Sequence, residues 1–581
     1  MENKTCRQCN SNFTVTDEDL AFINKISPEF SGKKYLIPSP TLCPDCRLRR
    51  RLAWRNVRYI YRRKSDLSGQ DLISIFAPNN PFKTYHTKEI NDPSFDPIVY
   101  GRNFDFSQNF FDQFRKLQLE VPRAHASVVI ETMENSEFAN LALYLKNAYM
   151  SFGAVRDEDV CFCDSVWDSK KCLDCYYCNF CENGYQLVDC NNVYQGYFDL
   201  NCTNCREISL CIDLISCQNC FGCAGLRNKQ YCFFNQQLSK DEYQKRIDEY
   251  KWDRNNIENG LEKVWEIYRK IPHKCTNNVN TENSLGDFLT DCKNCTRSFD
   301  LSRAENCHYC NTLVGGSHDN MDVAFCADTI ELGYEGIVTS MNAYLVRFSS
   351  LCFPSDRDLM YCDSCSNCSN LFGCVGLKKK QYCILNKQYT KEEYEQLVPK
   401  IIEHMRQTGE WGEFFPLSVS PYGYNETTAH EWYPLTKEEA LKLGANWQDE
   451  DFGLKYDGPF YTPKEISLYD PKKNPDAQKE IDELLKGIIQ CEITSKPFRI
   501  ISQELAFYIE HGLPIPTKHP NQRYKERFAQ RRPRKLYDRQ CMCEEPNHSH
   551  QTRCPNQFTT TYSPDRPEKV YCEECYQKSV L

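Results

Sequence analysis

The chain has no apolar run near the ~20 residues that a membrane-spanning helix needs. Its first residues, MENKTCRQCN, lack the charged-then-apolar pattern of a secretory leader. Both absences predict a soluble, cytoplasmic protein whose thiols stay reduced. Histidine is scarce, 11 in 581 residues. No phosphate loop, dinucleotide fingerprint, HExxH pair or haem-attaching CxxCH occurs, so neither an enzyme activity nor a small-molecule substrate is expected. Cys307-His308 is the one place where the two residue types adjoin, and strand neighbours point to opposite faces. Gly and Pro are too few to suggest disorder. A net charge of −9 argues against binding nucleic acid through the overall field, although an average can hide basic patches.

Cysteine is the excess, with 36 copies. In so long a chain they point to metal sites or buried thiols more than to a disulfide framework. Two CxxC pairs open the sequence, Cys6/Cys9 and Cys43/Cys46, and such knuckles place four thiolates around one Zn²⁺. The C-terminal end repeats the text. CRQCNSNFTVTDEDLAFI matches CEITSKPFRIISQELAFYI, IPSPTLCPDCRLRRRLAWRN matches LPIPTKHPNQRYKERFAQRR, and FAPNNPFKTYHTKE matches YSPDRPEKVYCEEC. Each end is therefore one copy of a module with two knuckle sites. The first copy keeps site one and has Ser65, Ser68, His86 and Glu89 at site two, too oxygen-rich for zinc. The last copy has Cys491, Thr494, His519 and Gln522 at site one. Its site two keeps Cys541, Cys572 and Cys575, and an inserted loop supplies the fourth ligand. Counting back from Tyr562 selects Cys554, with Cys543, His548 and His550 in reserve. Two structural zinc ions are expected.

Beside each site runs a basic segment. RLRRRLAWRNVRYIYRRK holds nine basic residues and no acid, among them Arg47, Arg49, Arg50, Arg51, Arg55 and Arg58, with Trp54, Tyr59 and Tyr61 interleaved. The last copy answers with Arg523, Lys525, Arg527 and Arg531. Arginine forks and aromatic faces suit RNA or a ribonucleoprotein; the same charges also suit a solvated face or the protein's own acids.

The middle is a tandem duplication: NCFGCAGLRNKQYCFFNQQLSKDEYQKRI matches NLFGCVGLKKKQYCILNKQYTKEEYEQLV, and each copy runs into a helix through a capping box, Ser239/Glu242 and Thr390/Glu393. From Cys163 to Cys232 the cysteines are spaced by multiples of three, and only Cys161 breaks phase. In the second unit Cys292, Cys295, Cys307 and Cys310 share one phase, Cys326 to Cys383 the next, with Cys352 out of step. Neither a helix nor a flat strand holds a step of three; coils whose length is a multiple of three do, with cysteines stacked in ladders. Asn or Asp precedes nine of these cysteines, as a left-handed corner prefers. The rivals are an iron–sulfur cluster on Cys172, Cys175, Cys178 and Cys181, further zinc knuckles such as Cys202/Cys205 with Cys217/Cys220, and disulfide ladders.

The stretches CPDCRLRRRLAWRN, GLRNKQYC, LVPKIIEHMRQTGEWGEFFP and TTYSPDRPEKVYCEECY resemble a family of uncharacterised, cysteine-rich zinc-ribbon proteins from candidate-phyla-radiation (Patescibacteria) bacteria. The likeness spans nearly the whole chain. It implies this architecture and a bacterial cytoplasmic setting, and it brings no activity.

The expected fold is mixed and β-rich: duplicated β-solenoid-like units with helical connectors, flanked by treble-clef or zinc-ribbon-like modules. The expected divisions are a zinc module at 1–92, a helical connector at 93–123, repeat units at 124–236 and 276–386 joined by a helical connector at 237–275, a helical and irregular connector at 387–490, and a second zinc module at 491–581. The function expected first is a non-enzymatic, zinc-stabilised scaffold binding RNA or a ribonucleoprotein through the basic segments. A protein-assembly scaffold using the solenoid faces is the alternative, and an iron–sulfur or thiol redox protein the third reading.

Overall fold

In the computed structural model, which describes residues 1–546, 548 and 550–580, the chain is mixed α/β and rich in strand. The first end builds an antiparallel hairpin (Glu2–Thr5 with Asn12–Val15), helices Asp17–Ile26 and Pro44–Leu52, a second hairpin (Tyr61–Lys64 with Asp71–Ser74) and helix Thr87–Asn91. The same order returns at the other end: hairpin Ile489–Gln490 with Pro497–Phe498, helices Ser502–His511 and Pro520–Gln530, hairpin Tyr537–Gln540 with Gln557–Thr560, and helix Glu573–Val580. Local chemistry sets these boundaries. Thr16 and Asp19 form a capping box, and proline occupies the first turn of both helices that follow a CPDC or HPNQ sequence.

Between the ends lie two bodies of parallel strand, one of 11 strands from Phe138 to Gln237 and one of 12 from Leu285 to Gln388. In the first body nearly every pairing joins residues 12 apart, as in Asp164↔Tyr176, Val193↔Cys205 and Cys220↔Cys232. From Leu141 to Phe234 every third residue has positive φ, between +47° and +67°. A corner at every third position and a rise after 12 residues give each turn four short sides. All nine Asn and Asp residues that precede a cysteine are such corners. The remaining corners include Phe162, Tyr177 and Leu210, side chains that disfavour this conformation by ~1–2 kcal/mol each. The ladder offsets that strain: Asp174 N–H donates to Cys161 O at 3.0 Å, and Asp164 N–H to Cys175 O at 2.9 Å. Corner asparagines also stack across turns, Asn283 to Asn294 to Asn306 to Asp319, at 2.9 to 3.1 Å.

The residue after each corner points inward. The interior of the first body consists of that phase alone, 13 cysteines with Ala, Val, Leu and Ile. Cysteine suits the position because its thiol fills little space and can donate weakly to the carbonyl two residues back, from 3.2 Å at Cys211 to 3.7 Å at Cys232. Cys161 breaks phase because it faces outward, buried against Ile489, Cys491 and Phe498 of the C-terminal module. Cys352 has a different reason. Four successive pairings, Glu305↔His318↔Glu331↔Tyr344↔Arg357, step by 13 residues, so the inward phase advances by one at each turn. Cys352 follows the third such step and is fully buried inside.

Each body ends in an antiparallel clasp, Cys232↔Gln237 and Cys383↔Gln388, followed by helices Lys240–Glu249 and Lys391–Gln407. Both expected capping boxes form. The end modules then dock crosswise. Ile23, Leu48 and Trp54 of the first module join Tyr334, Phe348 and Tyr361 of the second body in one core, whereas Leu505 and Tyr508 of the last module pack on Phe162, Leu173 and Tyr185 of the first body. Among the described residues no helix is long and apolar enough to cross a membrane.

Candidate metal centres

In the first module, Cys6 closes the turn of the opening hairpin, with Cys6 N–H donating to Ser11 O (2.8 Å) and Asn10 N–H to Cys6 O (2.9 Å). Cys43 caps helix Pro44–Leu52, and Cys46 sits in its first turn. That end of a helix favours thiolate through the backbone dipole. The four sulfurs lie within 4.8 Å of one another, and Cys9 and Cys43 are 3.7 Å apart. A tetrahedral Zn²⁺ with ~2.3 Å bonds needs sulfurs roughly 3.8 Å apart, so the set fits the ion. Crowding makes the thiols share protons unevenly: the hydrogen bond from Cys46 pushes Cys43 down to about 4, and the same contact pushes Cys46 up. A dication resolves that conflict by favouring four thiolates together.

The last module repeats the arrangement with its other half. Cys541 leaves the hairpin strand, Cys554 returns on the inserted loop, Cys572 precedes helix Glu573–Val580 and Cys575 lies in its first turn. Their sulfurs also lie within 4.8 Å, with Cys554 and Cys572 4.0 Å apart. Cys572 N–H donates to the Cys541 sulfur (3.2 Å), and the Asn556 amide to the Cys572 sulfur (3.5 Å). The ligand selected by register, Cys554, is the one that converges. The reserve residues are not substitutes for it: Cys543, His548 and His550 form a separate group around Cys575.

At the two altered knuckles hydrogen bonds occupy side chains that stand where the intact knuckles have cysteines. Ser65 repeats the hairpin turn, with N–H to Gln70 O at 2.9 Å, and its hydroxyl donates to Glu89 at 2.6 Å. Cys491 repeats it again, with N–H to Lys496 O at 2.9 Å, while His519 turns its Nδ1 back to accept from Asn521 N–H as a helix cap. Burial pushes His519 down to about 4. Among the described residues, no third ligand joins either set, and Cys172, Cys175, Cys178 and Cys181 form no converging cluster.

Most arginines of the basic segments face inward, which corrects their expected exposure to RNA, while Arg62, Lys64 and Lys525 stay exposed. Arg47 and Arg51 both close on Asp322, at 2.7 and 2.9 Å; Arg51 also reaches Glu335 at 2.8 Å, and Arg50 joins Glu335 (3.1 Å) to Glu413 (2.7 Å). Arg55 lies over the Phe325 ring at 3.7 Å, and Arg58 over Tyr524 at 3.2 Å. In the last module Arg523 and Arg527 close on Asp174, at 2.5 and 2.8 Å, and Arg531 bridges Asp189 (2.8 Å) and Asp300 (2.7 Å). Arg51 is 0% and Arg527 1% exposed. Trp54 is buried against Phe415, and Tyr61 donates to Glu426. Of the expected phosphate-gripping set only Lys525 is exposed, with Arg49 and Arg58 partly so. Cys307 and His308 diverge as strand neighbours should: Cys307 is interior, and His308 reaches Asp19 at 3.3 Å.

The arginine pairs correspond by the module repeat, Arg47 with Arg523 and Arg51 with Arg527. So do their acceptors, since Asp174 and Asp322 each stand at a left-handed corner four turns before the matching glycines Gly222 and Gly373. Each end module therefore grips one body by the same contact. Comparison of the chain with protein-family models, curated proteins and solved structures finds no match.

Proposed function

We propose that the protein is a non-enzymatic, metal-stabilised scaffold: two four-sided β-solenoids held crosswise by zinc modules. The twinned contact carries this reading, the same two arginines closing on the same corner aspartate at both ends. Zinc at Cys6, Cys9, Cys43 and Cys46 fixes the helix that presents Arg47 and Arg51. The ion at Cys541, Cys554, Cys572 and Cys575 ties down the closing hairpin and helix of the last module. Four cysteines use every position of a tetrahedral ion, which suits a structural site and leaves no open position for substrate. The register of 12 and 13 residues and the regular corners support the solenoid description.

The RNA reading has lost most of the side chains on which it rested, because buried arginines paired to the protein's own acids cannot neutralise phosphate. Metal analysis of the purified protein tests the scaffold: zinc at both ends and no iron is expected, and a metal-free or brown, iron-containing protein would overturn it. Salt-sensitive binding of single-stranded RNA, abolished by Arg49→Glu with Lys525→Glu, would reinstate the RNA reading.

A further inference from the structure

Cys575 belongs to two clusters at once. Its sulfur lies within 4.8 Å of the ligand atoms of Cys541, Cys554 and Cys572, and within 4.8 Å of those of Cys543, His548 and His550. We propose that the C-terminal module holds a two-metal centre bridged by the Cys575 thiolate. Cys541, Cys554 and Cys572 complete one zinc ion, and Cys543, His548 and His550 complete the other. The inference rests on the scaffold reading, because it requires the first of these ions.

Three observations support the second ion. The spacings fit: Cys543 Sγ to His548 Nδ1 is 3.0 Å and Cys575 Sγ to His550 Nε2 is 3.5 Å. A tetrahedral zinc with one sulfur at ~2.3 Å and one nitrogen at ~2.0–2.1 Å sets those atoms roughly 3.6 Å apart. Next, His550 is oriented for ligation. Its Nδ1 is hydrogen-bonded to the Thr552 carbonyl, which places the ring proton there and leaves the Nε2 lone pair facing Cys575. Finally, the loop brings both ligand sets together, since Cys554 N–H donates to Cys543 O at 2.9 Å and Cys543 is fully buried.

Charge favours the shared arrangement. One dication with four thiolates carries two net negative charges into a buried site, whereas two dications with five thiolates and two neutral imidazoles carry one. Filling the second position deprotonates only Cys543, because Cys575 is already a thiolate on the first ion.

Full-length protein loaded with zinc and cleared of loose ions should carry three per chain by elemental mass spectrometry, one in the first module and two in the last. The double variant His548→Ala/His550→Ala should carry two, and its retained ions show that the modules remain folded. Cobalt substitution reads the bridge itself. Two Co²⁺ ions across one sulfur couple magnetically, so the wild type should give less electron paramagnetic resonance intensity than three isolated ions, and the double variant should show two uncoupled ions. Two zinc ions in both proteins would overturn the second site while leaving the scaffold intact. Three magnetically independent ions would overturn the bridge, and none or one in the wild type would sink the scaffold reading itself.

Discussion

Asp157, Asp199 and Asp356 point inward, at positions of the β bodies where cysteine, alanine or leucine usually stands. Each uses one carboxylate oxygen to accept the backbone N–H of the turn above, from Ser169, Cys211 and Cys368, all at 2.8 Å. The second oxygen of each is buried without a partner. Burial therefore pushes Asp157 up to about 8 and Asp356 to about 7. An acid held neutral in the folded chain but ionised in the unfolded chain is most favourable below pH ~4, and its contribution is lost as pH rises through the folded pKa. Asp157→Asn keeps the acceptor and removes the ionisation. The variant should match wild type near pH ~4 and be the more stable at pH 9, by on the order of a few kcal/mol. A melting difference that ignores pH would show that Asp157 is ionised in the folded chain.

The helix Pro44–Leu52 shows what the paired elements contribute. Its arginines meet Asp322 and Glu335 with almost no solvent contact, so the ion pairs gain strong attraction and forfeit the hydration of both partners. Such a cluster is costly to break from one side. Arg51→Ala should destabilise the docked module by ~3–5 kcal/mol, because two buried carboxylates lose a common partner. Arg51→Lys should rescue little, since an ammonium cannot bridge both acids as the planar fork does. Limited proteolysis of the first module reads both variants, and near-wild-type resistance of Arg51→Ala would argue that the contact is incidental. The basic composition of this segment was legible, its orientation was not. The acids that turn it inward lie more than 270 residues away, as |i−j| of 271 for Arg51 and Asp322 shows, and no local pattern carries that distance. The two converging cysteine quartets were legible because knuckle spacing is local and the two module copies correct one another, down to Cys554. The second role of Cys575 was hidden, since a sequence shows that a residue suits a ligand set without showing that it serves two.

Across the whole molecule the thiols divide into two classes. Those of the β interior are shielded by the bodies themselves, with Cys161, Cys275 and Cys491 buried where the modules pack, whereas the nine in the three clusters stand where metal ions could hold them. Chelation should therefore make nine cysteines reactive toward a thiol reagent while the far-ultraviolet signal of the parallel strands persists, and the remainder of the 36 should react only in denaturant. Simultaneous release of all 36 would mean that the bodies do not stand without the clamps. The step of three was readable from cysteine alone, because a corner at every third residue forces the inward phase. The turn length of 12 was not, since any multiple of three keeps that phase, and the 13-residue turns surfaced only as the change of phase after Cys310 and the misfit of Cys352.

Crosswise docking also orders events during synthesis. The first module leaves the ribosome with its arginines exposed, and their acceptors at Asp322 and Glu335 follow some 270 residues later, as the separation of 271 for Arg51 and Asp322 records. At ~5–20 residues per second that interval lasts roughly 15–55 seconds. The first body waits longer for its own cover, because Asp174 precedes Arg523 by 349 residues. From Asp174 until Asp322 emerges, about a quarter of the chain's synthesis, a basic helix and an uncovered aromatic face are unpartnered together, and the last module to emerge is the one that covers the first body to be made.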